Sequence, residues 1–225
     1  GDLYAFRLNE ATPTIPATTD TCEVDFTQVV WEASTVLQDQ FDNGYSRPTF
    51  FGAKPATDWQ RHELTDVTVP ANLALRTAFA TSLGVAGAVS DETVQEIVNF
   101  VRNERRTDLT AAVGPARPSG TSVLGDVYHS QPLFVGPPNN PAFYYDYGFA
   151  ATGSTSYRQF ASKHAQRRRV VLAGANDGLL HAFDAGYYDR DLQGQAQVPP
   201  VDLYTDQHDL GNGKELFTFL PQGVN

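Results

Sequence analysis

The stretch VVLAGANDGLLHAFDA, residues 170–185, decides the fold. Val170, Val171 and Leu172 form a short apolar run of the kind that makes a buried central strand. Gly174 closes the run, and Asn176, Asp177 and Gly178 then supply a tight turn. Asn and Gly tolerate the positive φ that a two-residue hairpin turn requires. Residues 179–183, including His181 and Phe183, return as the partner strand, and Asp184, Ala185 and Gly186 turn the chain again. Strand, tight turn, strand, turn is the unit from which propeller blades are built.

Downstream, KELFTFLP at residues 214–221 reads as a further strand. Upstream, LGDVYHSQPLFVG at 124–136 and YYDYGF at 144–149 are short apolar runs separated by Gly, Pro and Asp. The basic cluster Arg167, Arg168 and Arg169, with Lys163 and His164 before it, reads as a solvated loop or strand start. The segment GPARPSG at 114–120 is linker-like.

The first half is patterned differently. GDLYAFRL at 1–8 suggests a short strand, and the Thr-, Pro- and Ala-rich stretch 9–21 an exposed loop. VVWEASTVLQDQF at 29–41 fits a short helix or a bent strand equally. RPTFFG at 47–52 reads as a strand that Pro48 confines to a sheet edge. Residues 59–69 read as another strand, stopped by Pro70. The clearest helix spans 91–105, where Ser90 or Asp91 can cap the first free amides. Asp91 and Glu92 sit at its positive dipole end and Arg102, Arg105 and Arg106 at its negative end. Val94, Ile97, Val98 and Val101 make one apolar stripe at helical spacing. One repeat spans the chain: GDLYAF at 1–6 matches GLLHAF at 178–183, as repeated blades would.

Composition supports a β-rich globular reading. Aromatic residues reach 12%, and such side chains favour pleated, half-buried surfaces. The 14 prolines and 18 glycines imply many turns. A formal charge of −10 repels phosphate backbones, which argues against nucleic acid as a partner. No window of about 18 apolar residues exists for a transmembrane helix. The single Cys22 pairs with chain outside the segment or stays a free thiol. The chain has no methionine and opens in mid-strand, so we expect a piece of a longer protein.

No catalytic constellation stands out. His62, His129, His164, His181 and His208 form no metal-binding pair of the H-E-x-x-H type. His129 and His181 read as histidines that satisfy backbone groups in strands or turns. Asp126 lies near His129, but Ser130 has no nucleophile-elbow context. GAND is a turn and not a phosphate-binding loop, and Cys22 has no nearby His. We therefore expect a non-enzyme with no cofactor bound by this segment. Asp202, Asp206 and Asp209, with Asn212, are the nearest thing to a metal cluster. Their irregular spacing reads as a solvated acidic loop.

The motif GANDGLLHAFDA is similar to the blade motif of the PilY/PilC family of type IV pilus proteins. LGDVYHSQPLFVGPP at 124–138 resembles the strand and turn that precede it in that family, and IVNFVRNER at 97–105 its short helical segment. GDLYAFRL, Trp31-Glu32-Ala33 with Leu37, and KELFTFLP resemble further family blocks in the same order. The resemblance implies an all-β-dominated fold, part of a β-propeller with loop and short-helix insertions. On that reading all 225 residues form an incomplete propeller segment, with 9–122 an insertion and 123–225 the blade strands. It makes Gly125, Asp126, His129, Ser130, Pro132, Gly174, Asn176, Asp177, Gly178, His181, Phe183 and Asp184 structural motif residues. It implies a secreted protein at the outer membrane, cell surface or pilus tip, acting in pilus assembly, twitching motility and adhesion. Minor pilins and host or abiotic surfaces would be its partners, and calcium would bind in the full-length protein. A quinoprotein-like propeller dehydrogenase carries a similar turn. The blade-closing Thr-Gly and Trp of those enzymes are missing after Asp184, where Ala185-Gly186-Tyr187-Tyr188 follows. A structural surface propeller without a pilus role is the third reading.

Overall fold

A computed structural model describes residues 2–6, 29–54, 57–82, 90–102, 123–138, 156–188 and 209–221. In chain order these hold β1 (Tyr4–Phe6), β2 (Val29–Glu32), α1 (Ala33–Asp42), β3 (Thr49–Ala53) and β4 (Gln60–Glu63). Two 3-10 turns (Leu64–Thr68 and Pro70–Asn72) lead into α2 (Leu73–Ser82) and α3 (Asp91–Val101). Then come β5 (Leu133–Val135), α4 (Tyr157–Lys163), β6 (Val170–Gly174), β7 (Leu180–Asp184) and β8 (Glu215–Leu220).

β5, β6, β7 and β8 pair antiparallel in sequence order, an up-and-down meander. The β3–β4 hairpin joins it through a parallel β3–β8 pair, giving one mixed sheet of order β4-β3-β8-β7-β6-β5. β1 and β2 form a separate antiparallel pair. The expectation of an all-β-dominated fold holds in part: strands in two sheets make the frame, and helices accompany them. Among the described residues there are four α-helices, and the six-stranded sheet ends at β4 and β5 without closing into a ring. The helices have local causes. Glu32 ends β2 by turning its carboxylate onto the amides of Ser34 and Thr35, at 2.8 and 2.7 Å, so the chain that fits helix or strand is both in succession. Leu75 and Phe79, four residues apart and buried, give α2 an apolar stripe that our sequence reading missed. α3 starts as expected, with Ser90 Oγ accepting from the Thr93 amide. It ends at Val101, and positions 103–106 lie outside the described residues.

β3 is internal, between β4 and β8, and not at an edge. Pro48 stands one residue before the strand and contributes only its carbonyl, which accepts from the Thr218 amide at 2.8 Å. Its missing N–H is therefore never called on. The stretch 59–69 holds β4 and a 3-10 turn in place of one strand. A capping exchange between Glu63 and Asp66 curls the chain there: the Glu63 amide donates to Asp66 Oδ2 at 3.0 Å.

Two apolar clusters make the core. Leu3, Trp31, Ala33, Leu37, Val123, Leu124, Ala173 and Phe183 pack where the small sheet and α1 meet the meander. Phe51, Ala53, Leu64, Val67, Leu75, Phe79, Val94 and Val98 pack where α2 and α3 cover β3. The helix stripe of Val94 and Val98 is thus buried as its spacing predicts, with Ile97 and Val101 packed alongside. No described helix is long and apolar enough to cross a membrane.

Candidate functional site

The 170–185 stretch folds as a hairpin, with a different turn from the one predicted. The Gly178 amide donates to the Ala175 carbonyl at 3.1 Å and the Ala175 amide to the Leu179 carbonyl at 3.0 Å. Only Gly178 has positive φ, +83°. This is a three-residue loop with glycine in the left-handed position, so Asn176 and Asp177 are freed from that constraint. Asp177 uses the freedom to point its carboxylate back along β7.

Two motif blocks far apart in sequence meet here. The Gly125 amide donates to Asp177 Oδ2 at 3.2 Å, and the Asn176 amide to the Asp126 carbonyl at 3.0 Å. The Gly174 amide donates to Ser130 Oγ at 3.0 Å. Gly125 allows this approach: a Cβ there would lie 2.5 Å from the Asp177 backbone nitrogen. Pro132 is exposed just before β5. His129 lies in an irregular segment, exposed at φ +56°, and not in a strand. Asp184, at the end of β7, accepts from the Asn212 amide at 3.2 Å and pairs with Arg168 at 3.2 Å. Arg168 lies in the exposed loop two residues before β6, as the solvated-loop reading of the basic cluster has it.

The centre of the site is a line of four buried charged side chains. His181, on β7, is wholly buried and its ring stacks on Phe183. Its Nδ1 lies 2.7 Å from Glu215 Oε1 on β8, and its Nε2 lies 3.1 Å from both Asp177 oxygens. Glu215 Oε2 accepts from Arg47 Nε at 2.8 Å. Arg47 is 1% exposed and Glu215 2%. Arg47 also donates to the carbonyls of Val101 and Val123, each at 3.3 Å, and lies 5.1 Å from the Phe41 ring centre. Its guanidinium therefore ties the end of α3 and one apolar cluster to the other.

Carboxylates only accept, so an imidazole with one on each nitrogen needs a proton on both. Two anions then face two cations, and the buried chain is neutral. Burial alone would lower the His181 pKa, but the hydrogen bonds and charges of Asp177 and Glu215 outweigh it and raise it. Burial would raise Asp177, but the His181 contact and the amides of Leu179 and Gly125 hold it below the usual carboxylate range. The Tyr45 hydroxyl is buried without a well-formed hydrogen bond. That burial, with Glu215 nearby, pushes its pKa up.

Sequence reading found Asp177 and His181 through the motif and missed Glu215, Arg47 and Tyr45. The signal was faint: one acidic and one basic residue opening two otherwise apolar strand runs, KELFTFLP and RPTFFG. Asp209 is a turn former, its Oδ1 accepting from the amides of Tyr187 and Gly211 at 3.0 and 2.9 Å. Asp202, Asp206, His208, Cys22, the loop 9–21, the linker 114–120 and the run 144–149 lie outside the described residues. Among the described residues, no group of three or more His, Cys, Asp or Glu is placed to hold a metal ion.

Fold and site together define a mixed-sheet unit pinned by a buried charge chain. Over about half to three-fifths of its length, the chain is similar to proteins named type IV pilus biogenesis factor PilY1. It is 38% identical over 123 residues to a type IV pilus biogenesis factor PilY1 homolog of Xylella fastidiosa, covering 54% of this chain and 10% of that protein. It is 35% identical over 137 residues to the type IV pilus biogenesis factor PilY1 of Pseudomonas aeruginosa PAO1, covering 60% and 9%. The PilY1 of strain PAK is 28% identical over 137 residues. The chain spans about a tenth of the length of the curated relatives it matches. No protein-family model matches it, and no solved structure does.

Proposed function

We propose that this chain is part of a type IV pilus biogenesis factor, working by binding and support rather than by catalysis. The 38% identity to the Xylella fastidiosa PilY1 homolog carries the reading. The sheet agrees with it. β5 to β8 are four antiparallel strands in sequence order, the size and connection of one propeller blade. The GDLYAF copy of the blade motif is also a strand, β1, with its own antiparallel partner β2. Trp31 of β2 packs over Gly213, just ahead of β8, as a residue joining two neighbouring blades would. On this reading the protein sits at the cell surface or pilus tip. Minor pilins are its partners, and twitching and surface attachment depend on it.

Deleting the full-length gene tests this. Pili sheared from the cell surface should fall sharply, twitching should stop, and a plasmid copy should restore both. Unchanged surface pili in the deletion strain would sink the proposal. Quinone-dependent dye reduction by the purified full-length protein would overturn the non-catalytic part of it.

A further inference from the structure

We propose that Asp177, His181, Glu215 and Arg47 form a pH-sensitive lock, which holds the Arg47 segment on the sheet while His181 is charged and releases it when His181 gives its proton to solvent. The inference stands on the geometry of these side chains and is independent of the pilus reading.

The chain of contacts has no slack. Both ring nitrogens of His181, itself wholly buried, face carboxylates at 2.7 and 3.1 Å, and of these Asp177 keeps a small solvent exposure. Removing one proton leaves two buried anions against the single cation Arg47. It also leaves one ring nitrogen lone pair pointing at a carboxylate oxygen, so attraction becomes repulsion in a medium that screens poorly. The groups facing His181 are Asp177 from the hairpin loop, Glu215 from β8, and Arg47 and Tyr45 from the segment before β3. β6 presents Ala173 as its register partner and β8 presents Thr218, neither of which titrates. The Tyr45 hydroxyl stays neutral, since burial and Glu215 push its pKa up.

The contact that yields is the one reaching farthest. Asp177 and His181 belong to one hairpin, and Glu215 to the neighbouring strand of the same meander. Of the four charged side chains, Arg47 is the one that comes from outside the meander, and it carries the links to Val101 and Val123. The Glu215 amide donates to Gln40 Oε1 at 2.7 Å and reports on the same junction. Because the His181 pKa is raised, the locked state is complete below the ordinary imidazole value of about 6.5 and persists above it. Release lies on the alkaline side.

The test is a titration of the 225-residue chain labelled with nitrogen-15 histidine, read with amide hydrogen exchange between pH 5 and 10. The lock predicts a doubly protonated His181 ring at pH 7. As that ring loses its proton, the protection factor of the Glu215 amide should fall about tenfold per pH unit, while that of Phe160 in α4 stays level. Asp177→Asn should move the transition to lower pH, a shift that a merely structural contact would not produce. A neutral His181 ring at pH 6, or Glu215 protection that stays level while the ring deprotonates, overturns the lock. So does a ring that keeps its charge up to global unfolding. If Asp177→Asn fails to fold, the unmodified chain alone decides between these outcomes.

Discussion

Arg47→Met is the sharpest perturbation the structure offers. Methionine keeps most of the stem volume and the contact with Phe41 but removes every donor. Glu215 then remains buried with its Oε2 unpaired, and the carbonyls of Val101 and Val123 lose their partner. Breaking a buried ion pair from one side costs about 3–5 kcal/mol. The two lost carbonyl contacts are long, so we expect the loss near the middle of that range, about 4 kcal/mol. With a urea dependence of about 2–3 kcal/mol per molar, the midpoint should fall by about 1.3–2 M. Unfolding can be followed by circular dichroism and by the fluorescence of Trp31 and Trp59. The double variant Arg47→Met, Glu215→Gln separates charge from packing. A neutral amide in place of the stranded carboxylate should recover at least half of the loss, because the buried charge left uncompensated by Arg47→Met is then gone and Asp177 faces His181 as a balanced pair. A loss below about 1 kcal/mol for Arg47→Met, or a double variant worse than the sum of the singles, would refute the view that Arg47 neutralises a buried carboxylate.

Other changes test the surrounding geometry. Urea midpoints should fall as pH drops through the Asp177 pKa, which is depressed in the fold; the stabilisation is complete above the unfolded value of about 3.9, and Asp177→Asn should flatten this acid limb. Gly213→Ala places a methyl group 2.6 Å from the Trp31 ring at a positive φ of 69°, so it should cost about 1–3 kcal/mol and shift Trp31 emission. Gly178→Ala meets open space and should cost only the left-handed backbone penalty of about 1–2 kcal/mol, whereas Gly125→Ala, crowding the Asp177 amide, should cost more; thermal melts of the two variants compare them. Ser90→Ala removes the α3 cap and should lower stability by about 1 kcal/mol in the same melts.

Much of the local structure was legible in the chain itself. The hairpin of 170–184, the strand at 215–220, the capped helix at Ser90 and the match of GDLYAF to GLLHAF all follow from periodicity and turn chemistry, which act within a few residues. Pairing partners are another matter. The parallel docking of β3 on β8 joins segments about 170 residues apart, and hydrophobic alternation says which face is buried but never which strand lies alongside. The helix α2 was hidden because its short stripe, Leu75 and Phe79, gains its meaning only against Phe51 and Val67. The charge chain shows the same division. Asp177 and His181 sit four residues apart across one turn, within reach of a motif, while Arg47 and Glu215 are two ordinary charges in the sequence. Only the tertiary structure removes water from between them, and that dehydration makes their pairing obligatory.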